Sequence, residues 1–246
     1  MDMTSDKENF DTELNIELKE EEQIEDLLCN GLKIIQRRGV FRFGTDAVLL
    51  ANNSVVPRGA TVLDIGTGTG IIPLLLSAKT DASHITGIEL QPDMADMARR
   101  SVSMNGLGDK IDIVCGNICD AVLIFGKAVF DVIVTNPPYK RSGSGIINSN
   151  DAKTLARHET AGTLDDFIRV SALLLKPMGR FNMICRPERL CDTMESLRKY
   201  GLEPKELTMV HSDYNKPPVM FLLNAVKGGG KNLMVKVPLL IDNTNY

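Results

Sequence analysis

The stretch Thr61-Val62-Leu63-Asp64-Ile65-Gly66-Thr67-Gly68-Thr69-Gly70 decides the reading of this 246-residue chain. Thr61–Ile65, rich in β-branched and aliphatic side chains, reads as a short buried strand, and three alternating glycines follow at once. Ile71–Ala78 then reads as a helix, with Pro73 tolerated in its first turn. Strand, glycine turn and helix start form a cradle in which the backbone can approach a ligand closely. The spacing is G-x-G-x-G, not the G-x-G-x-x-G of pyrophosphate binding. Asp64 stands just before the turn, where a carboxylate repels a pyrophosphate and suits a ligand carrying a positive centre.

Downstream, the strand His84–Glu89 ends in an acid nineteen positions after Gly70, placed to take two ribose hydroxyls. The helix Pro92–Met104 follows, with Met94, Met97, Ala98 and Val102 as its inward face. A third strand, Lys110–Cys115, leads to Gly116-Asn117-Ile118, an amide at a strand tip. A fourth, built on Val132-Ile133-Val134, is stopped by Asn136-Pro137-Pro138-Tyr139. Two prolines withhold N–H groups and fix φ, so the tip is stiff and offers an amide, a free carbonyl and an aromatic face. Those groups suit a flat nitrogen heterocycle; the plainer reading is a strand-ending turn with a surface tyrosine. Upstream, Gly44-Thr45-Asp46 precedes the helical run Ala47–Ala51. Thr45 or Asp46 is either the cap of that helix or, for Asp46, a wall of the ligand pocket.

Together, Asp64–Gly70, Glu89 and Asn136–Tyr139 resemble the class I S-adenosylmethionine-dependent methyltransferases that modify planar amino groups. The resemblance implies an α/β, Rossmann-like fold. Its mostly parallel sheet has seven strands in the order 3-2-1-4-5-7-6, the last antiparallel, with helices on both faces. It implies S-adenosylmethionine held by the glycine turn (Gly66, Thr67, Gly68, Gly70), by Asp46 and Asp64, and by Glu89 with Leu90. Asn117, Ile118 and Asn136 complete that cofactor set. It also implies that Asn136 and Pro137 accept the two hydrogens of a target amine while Tyr139 stacks on its ring. Pro138, Lys140, Arg141 and His158 then border the substrate, and no metal is needed.

A narrower resemblance, to bacterial tRNA adenine-N6 methyltransferases acting beside the anticodon of a valine tRNA, rests on three further stretches. They are Phe41–Ala51, Ala156-Arg157-His158-Glu159 and Arg186-Pro187-Glu188-Arg189-Leu190. It covers residues 26–241 and implies a tRNA partner. Asn117 departs from the pattern, since many relatives carry aspartate there; asparagine keeps the carbonyl acceptor an adenine amine needs.

The remaining elements follow from periodicity. Glu20 onward, with Ile24, Leu27 and Leu28, reads as a short amphipathic helix, and Leu32–Gln36 with Val40–Phe43 as a hairpin. Residues 140–151 read as a mobile loop whose Lys140 and Arg141 suit phosphates. His158 precedes a helix Leu164–Leu175 capped by Thr163 with Asp166, and is a helix-edge histidine before it is a proton acceptor. A strand Arg180–Cys185, a helix Pro187–Tyr200, strands Glu206–His211 and Val219–Val226, and a terminal β segment Lys231–Ile241 complete the chain.

Composition sets the outer limits. Residues 1–26 carry eleven acids against two bases, leaving 26 bases against 21 acids in a mildly basic remainder that permits RNA binding. The division expected is an acidic, disordered extension over 1–25 and one domain over 26–246, with a hairpin and helix (26–56) before the core (57–241). The apolar runs are too short to span a bilayer, and five cysteines without a C-x-x-C pair suit reduced thiols in a cytoplasmic protein. Cys115 and Cys119 read as core. Oligomeric state stays open between monomer and weak dimer. Another RNA base N-methyltransferase stays an alternative within the same chemistry; two other enzyme readings compete, a protein (release factor) glutamine N5-methyltransferase and a nicotinamide oxidoreductase, as does a binding module without chemistry. The short N-terminal region, the glycine spacing with Asp64, and the intact Asn136–Tyr139 tip speak against them in turn.

Overall fold

The structure, a computed structural model, describes residues 17–37, 44–138 and 162–241. A mostly parallel sheet forms its centre. The strands are β3 (Thr61–Ile65), β4 (His84–Glu89), β5 (Ile111–Cys115), β6 (Phe130–Thr135), β7 (Leu175–Cys185), β8 (Leu202–His211) and β9 (Met220–Lys227). Across the sheet they run β5-β4-β3-β6-β7-β9-β8, and only β9 is antiparallel to its neighbours. In core numbering this is the expected 3-2-1-4-5-7-6. Two short strands, β10 (Met234–Val235) and β11 (Leu239–Leu240), pair in parallel with the outer edge of β8. They are the expected terminal β segment, interrupted where Pro238 has no N–H to give the ladder.

The inner strands are apolar on both faces because helices cover both. On one side, α1 (Thr45–Asn53), α2 (Ile71–Lys79) and α3 (Pro92–Met104) bury Leu50, Leu74, Leu75 and Val102 against Val62, Val132 and Val134. On the other, α4 (Ala121–Phe125), α5 (Leu164–Leu174) and α6 (Leu190–Lys199) bury Phe167, Ile168 and Leu197 against Leu63, Ile65 and Ile133. Each such fully buried aliphatic side chain contributes about 1.5–3 kcal/mol. Strand order reverses between β3 and β6, the switch point beside which open α/β sheets hold ligands. Register keeps the tips level there: Ile65 lies opposite Ile88 on one side and Thr135 on the other. The Thr135 hydroxyl donates to the Ile65 carbonyl at 3.0 Å, closing the two tips together.

The N-terminal region departs from expectation. Where a helix is expected from Glu20, the chain forms β1 (Glu22–Asp26), antiparallel to β2 (Lys33–Arg37). Tertiary contacts override the helical spacing. Glu22, 7% exposed, receives both guanidinium nitrogens of Arg100 on α3 at 2.7 Å. Asn105 at the end of α3 clamps Lys33, accepting from its N–H at 2.9 Å and donating to its carbonyl at 2.6 Å. The Ile35 N–H donates to the Ser101 hydroxyl at 2.9 Å. Folded structure therefore begins before residue 26. The expected strand Val40–Phe43 and residues 1–16 lie outside the described residues.

Smaller corrections follow the same logic. Neither Thr45 nor Asp46 caps α1: Gly44 is the cap, without a side-chain hydrogen bond, and both residues lie in the first turn. Ala95 and Ser101 replace Met94 on the buried face of α3. β7 starts at Leu175, where the chain passes from α5 into the sheet through an irregular register beside β6. The Pro187–Arg189 stretch is a 3-10 turn ahead of α6. Cys115 and Cys119 are exposed, not core. The Thr163–Asp166 capping box on α5 forms as the sequence implies.

Candidate functional site

The glycine turn crowns β3. Gly66, Gly68 and Gly70 have φ of 75°, 58° and 89°, left-handed values that a side chain resists. The N–H groups of Gly66 and Thr67 both donate to the Ile88 carbonyl, at 2.9 and 3.1 Å, so the turn stays attached to β4 as it leaves the sheet. Gly70 leads into α2 and packs on α3, where an added Cβ would lie 3.1 Å from the Ala98 Cβ. Above Gly68 the space is open: a Cβ there would meet nothing within 4 Å. Pro73 falls in the first turn of α2, where its missing N–H would have had no helical partner.

Asp64 lies under this turn with no exposed surface, and neither carboxylate oxygen has a hydrogen-bond partner. Burial pushes its carboxyl up to about 7; the Thr67 hydroxyl pulls back part of the rise, without hydrogen-bond geometry, and the Glu89 charge adds to it. The sequence suggests an acid facing a ligand. The structure puts that acid beneath the backbone, with the buried, unpartnered Thr67 hydroxyl beside it.

Glu89, 7% exposed at the tip of β4, accepts from the Gly68 N–H at 2.9 Å and the Gln91 N–H at 2.8 Å, one on each oxygen. Leu90 follows, half-buried. On the next tip, the Asn117 carbonyl oxygen accepts from the Cys119 N–H at 2.9 Å and caps the 3-10 turn Ile118–Asp120, whose Ile118 is buried. At the tip of β6, Asn136 donates from Nδ2 to Asp46 Oδ2 at 2.9 Å. Pro137 is buried and Pro138 half-buried. Tyr139, Lys140, Arg141 and His158 lie outside the described residues. The tips of β3, β4, β5 and β6 thus bring a glycine turn, a carboxylate and two amides to one edge of the sheet, with Asp46 reaching in from α1. Among the described residues no group of three or more metal-binding side chains occurs.

Comparison with known proteins sharpens this arrangement. Residues 31–199 match the family described as Methyltransferase small domain. A Porphyromonas gingivalis tRNA1(Val) (adenine(37)-N6)-methyltransferase is 37% identical over 188 residues, covering 74% of this chain and 72% of its own length. The chain belongs to the methyltransferase small domain family, among the tRNA1(Val) (adenine(37)-N6)-methyltransferases. The Phocaeicola vulgatus enzyme of the same description is 30% identical, with 76% and 77% coverage. Two solved structures share the fold of this methyltransferase. A predicted O-methyltransferase of Agrobacterium tumefaciens has a TM-score of 0.65 at 23% identity, covering 81% of this chain and 89% of that one. The T. thermophilus 16S rRNA N2 G1207 methyltransferase, in complex with AdoMet and guanosine, has a TM-score of 0.58 at 20% identity, covering 86% and 52%.

The residues of this site fit S-adenosylmethionine, the cofactor that the sequence implies. The crest of the turn borders open space at Gly68, beside the Glu89 carboxylate. Beneath, the unpartnered Asp64 oxygens and Thr67 hydroxyl form a buried polar floor to the turn.

Two residues of this edge escape sequence reasoning. Gln36, 2% exposed on β2, reaches the turn with Nε2 3.5 Å from the Thr69 hydroxyl, so the hairpin touches the glycine turn. No local pattern marks that role. Gly87 inside β4 leaves room for Thr67, whose hydroxyl and methyl would lie 2.8 and 2.9 Å from an added Cβ. A glycine within a strand is the readable signal of such close approach.

Proposed function

We propose that this methyltransferase transfers a methyl group to the exocyclic N6 amine of an adenine in tRNA, adenine 37 of a valine tRNA, as its relatives are described to do. The observation that carries the reading is the level register of Ile65 and Thr135, which sets the Asn136-Pro137 tip beside the glycine turn across the switch point. S-adenosylmethionine supplies an electrophilic methyl on a sulfonium centre. The glycine turn with Glu89 holds the nucleoside and amino-acid parts of that cofactor, Leu90 and Ile118 border its ring, and the Asn117 side chain meets its adenine.

The Asn136 carbonyl oxygen and the Pro137 carbonyl accept the two hydrogens of the target amine. Two acceptors in place hold the nitrogen in line with the methyl, a contribution of positioning that needs no covalent nucleophile. Tyr139 stacks on the base, Pro138 stiffens the tip, and Lys140 and Arg141 meet RNA phosphates. His158 borders the substrate. A base within the anticodon loop reaches such a tip by unstacking. A cytoplasmic site of action suits a tRNA substrate; none of the helices described is long and apolar enough to cross a membrane.

Labelled methyl transfer from S-adenosylmethionine to tRNA lacking the modification, followed by nucleoside analysis, tests the reading. Labelled N6-methyladenosine at position 37 of the valine tRNA is expected. Label in another nucleoside, or in glutamine of an added release factor, overturns it.

A further inference from the structure

Asn136 and Asp46 stand 90 residues apart in sequence, and their hydrogen bond decides which end of an amide the site presents. An amide turned by half a rotation about its last torsion keeps nearly the same shape but exchanges an acceptor for two donors. Shape alone does not choose between the two orientations. A carboxylate oxygen accepts, so Asn136 meets Asp46 with Nδ2, at 2.9 Å, and the carbonyl end faces away from it. From this we infer that Asp46 is a positioning residue that fixes the polarity of the Asn136 amide, and that the site thereby takes an amino-bearing ring and rejects the keto counterpart. The inference rests on the proposed role of Asn136 as an acceptor for the target amine.

Asp46 is built for the task. It is 7% exposed, and its other oxygen accepts from the Ala47 N–H at 3.0 Å. It lies in the first turn of α1, where the helix dipole favours negative charge. Gly44 makes room: a Cβ built on it would collide with Asp46 Oδ1. On the other side the buried Pro137 fixes the backbone that carries Asn136. Remove the acceptor and the amide loses the contact with Asp46 that sets its polarity, and a half-turn then presents N–H groups to the target. That orientation opposes an amine and matches a ring carbonyl.

The test compares wild type with Asp46→Ala, Asp46→Asn and Gly44→Ala on an anticodon stem-loop. Its target position holds adenine as substrate or inosine as a competitor with a carbonyl in place of the amine. Asp46→Ala is expected to lower kcat/KM for the adenine RNA by ~10- to 100-fold, the range for one mispaired buried polar group, and to narrow the wild-type preference over inosine by a similar factor. S-adenosylhomocysteine affinity, read by calorimetry, stays within ~3-fold, because the contact serves the target side. Asp46→Asn keeps an acceptor oxygen of the same shape and recovers part of the preference. Gly44→Ala keeps the carboxylate but displaces it, and behaves like Asp46→Ala. Adenine-over-inosine discrimination unchanged in Asp46→Ala overturns the inference alone. So does cofactor affinity falling in step with transfer, which makes Asp46 a cofactor wall instead. Wild-type protein that forms no N6-methyladenosine overturns the proposed function and this inference with it.

Discussion

The Gly68 N–H donates to the Glu89 carboxylate at 2.9 Å, tying the crest of the glycine turn to the tip of the next strand. One carboxylate thus shapes the cradle and, in the proposed function, also faces the cofactor. Glu89→Ala removes a charge-assisted bond worth about 1.5–3 kcal/mol as well as the ligand contact, so cofactor affinity is expected to drop by at least ~10-fold. Glu89→Gln keeps one acceptor for the two N–H groups of Gly68 and Gln91 and loses less. Calorimetric titration with S-adenosylhomocysteine decides; equal affinity in wild type and Glu89→Ala sinks the assignment.

Asp64 gives a pH prediction. Its folded carboxyl stands at about 7 against an ordinary 3.8, so the native state holds a proton that the unfolded chain has released. The sign follows from linkage: stability from this group is fully present below pH 3.8 and is lost as pH rises towards 7. The shift corresponds to at most about 4 kcal/mol. Glu22, Asp96, Asp131, Asp165 and Asp166 are lowered and act the other way, in more acidic solution. Asp64→Asn is expected to flatten the decline in unfolding free energy between pH 4 and 7. Parallel curves for the two proteins would refute the burial argument.

The sheet is readable in the sequence because its inner strands are buried on both faces and end in glycine or proline. Val132–Val134 is a plain apolar run with Asn136-Pro137-Pro138 at its end, and Thr61–Ile65 meets three glycines. The start and end of α3 agree with its sequence limits for the same reason, proline at one side and Asn105-Gly106 at the other. What hides is non-local. Glu22–Asp26 looks helical by spacing, yet it pairs as a strand because Arg100, 78 residues on, needs the Glu22 carboxylate. No periodicity reports the Asp46–Asn136 bond across 90 residues, or the approach of Gln36 to Thr69. The burial of Asp64 is hidden for a related reason: the residue type is visible, but whether it faces ligand or core depends on how the turn folds over it.

Among the contacts that attach the N-terminal hairpin to α3, the Glu22–Arg100 ion pair is the one that responds to pH. Glu22 keeps 3% of its side-chain surface and Arg100 20%, and Asp96 lies 2.9 Å from the same guanidinium. Arg100→Ala leaves the Glu22 carboxylate buried without its partner, a loss of about 3 kcal/mol. The Arg100 hydrogen bonds hold the Glu22 carboxyl below its ordinary 4.5, so the pair's stabilisation is present above pH 4.5 and fades as pH falls through the lowered folded value. Urea unfolding of wild type and variant is expected to differ most at neutral pH and to converge in acid. A constant gap across pH would mean that packing, not charge, attaches the hairpin.

Asn136→Ala separates the two halves of the site. The glycine turn and Glu89 stay intact, held by their own backbone bonds to Ile88, Gly68 and Gln91. The variant deletes the acceptor proposed for the amine and removes the Asn136 amide from the Asp46 carboxylate. Transfer is expected to fall by more than ~100-fold, since the lost acceptor acts on positioning as well as on binding. S-adenosylhomocysteine affinity should change by less than ~3-fold. Glu89→Ala, by contrast, is expected to lose cofactor affinity first and transfer in consequence. If Asn136→Ala instead loses cofactor affinity as steeply as Glu89→Ala, the tip of β6 belongs to the cofactor cradle and the target amine is held elsewhere.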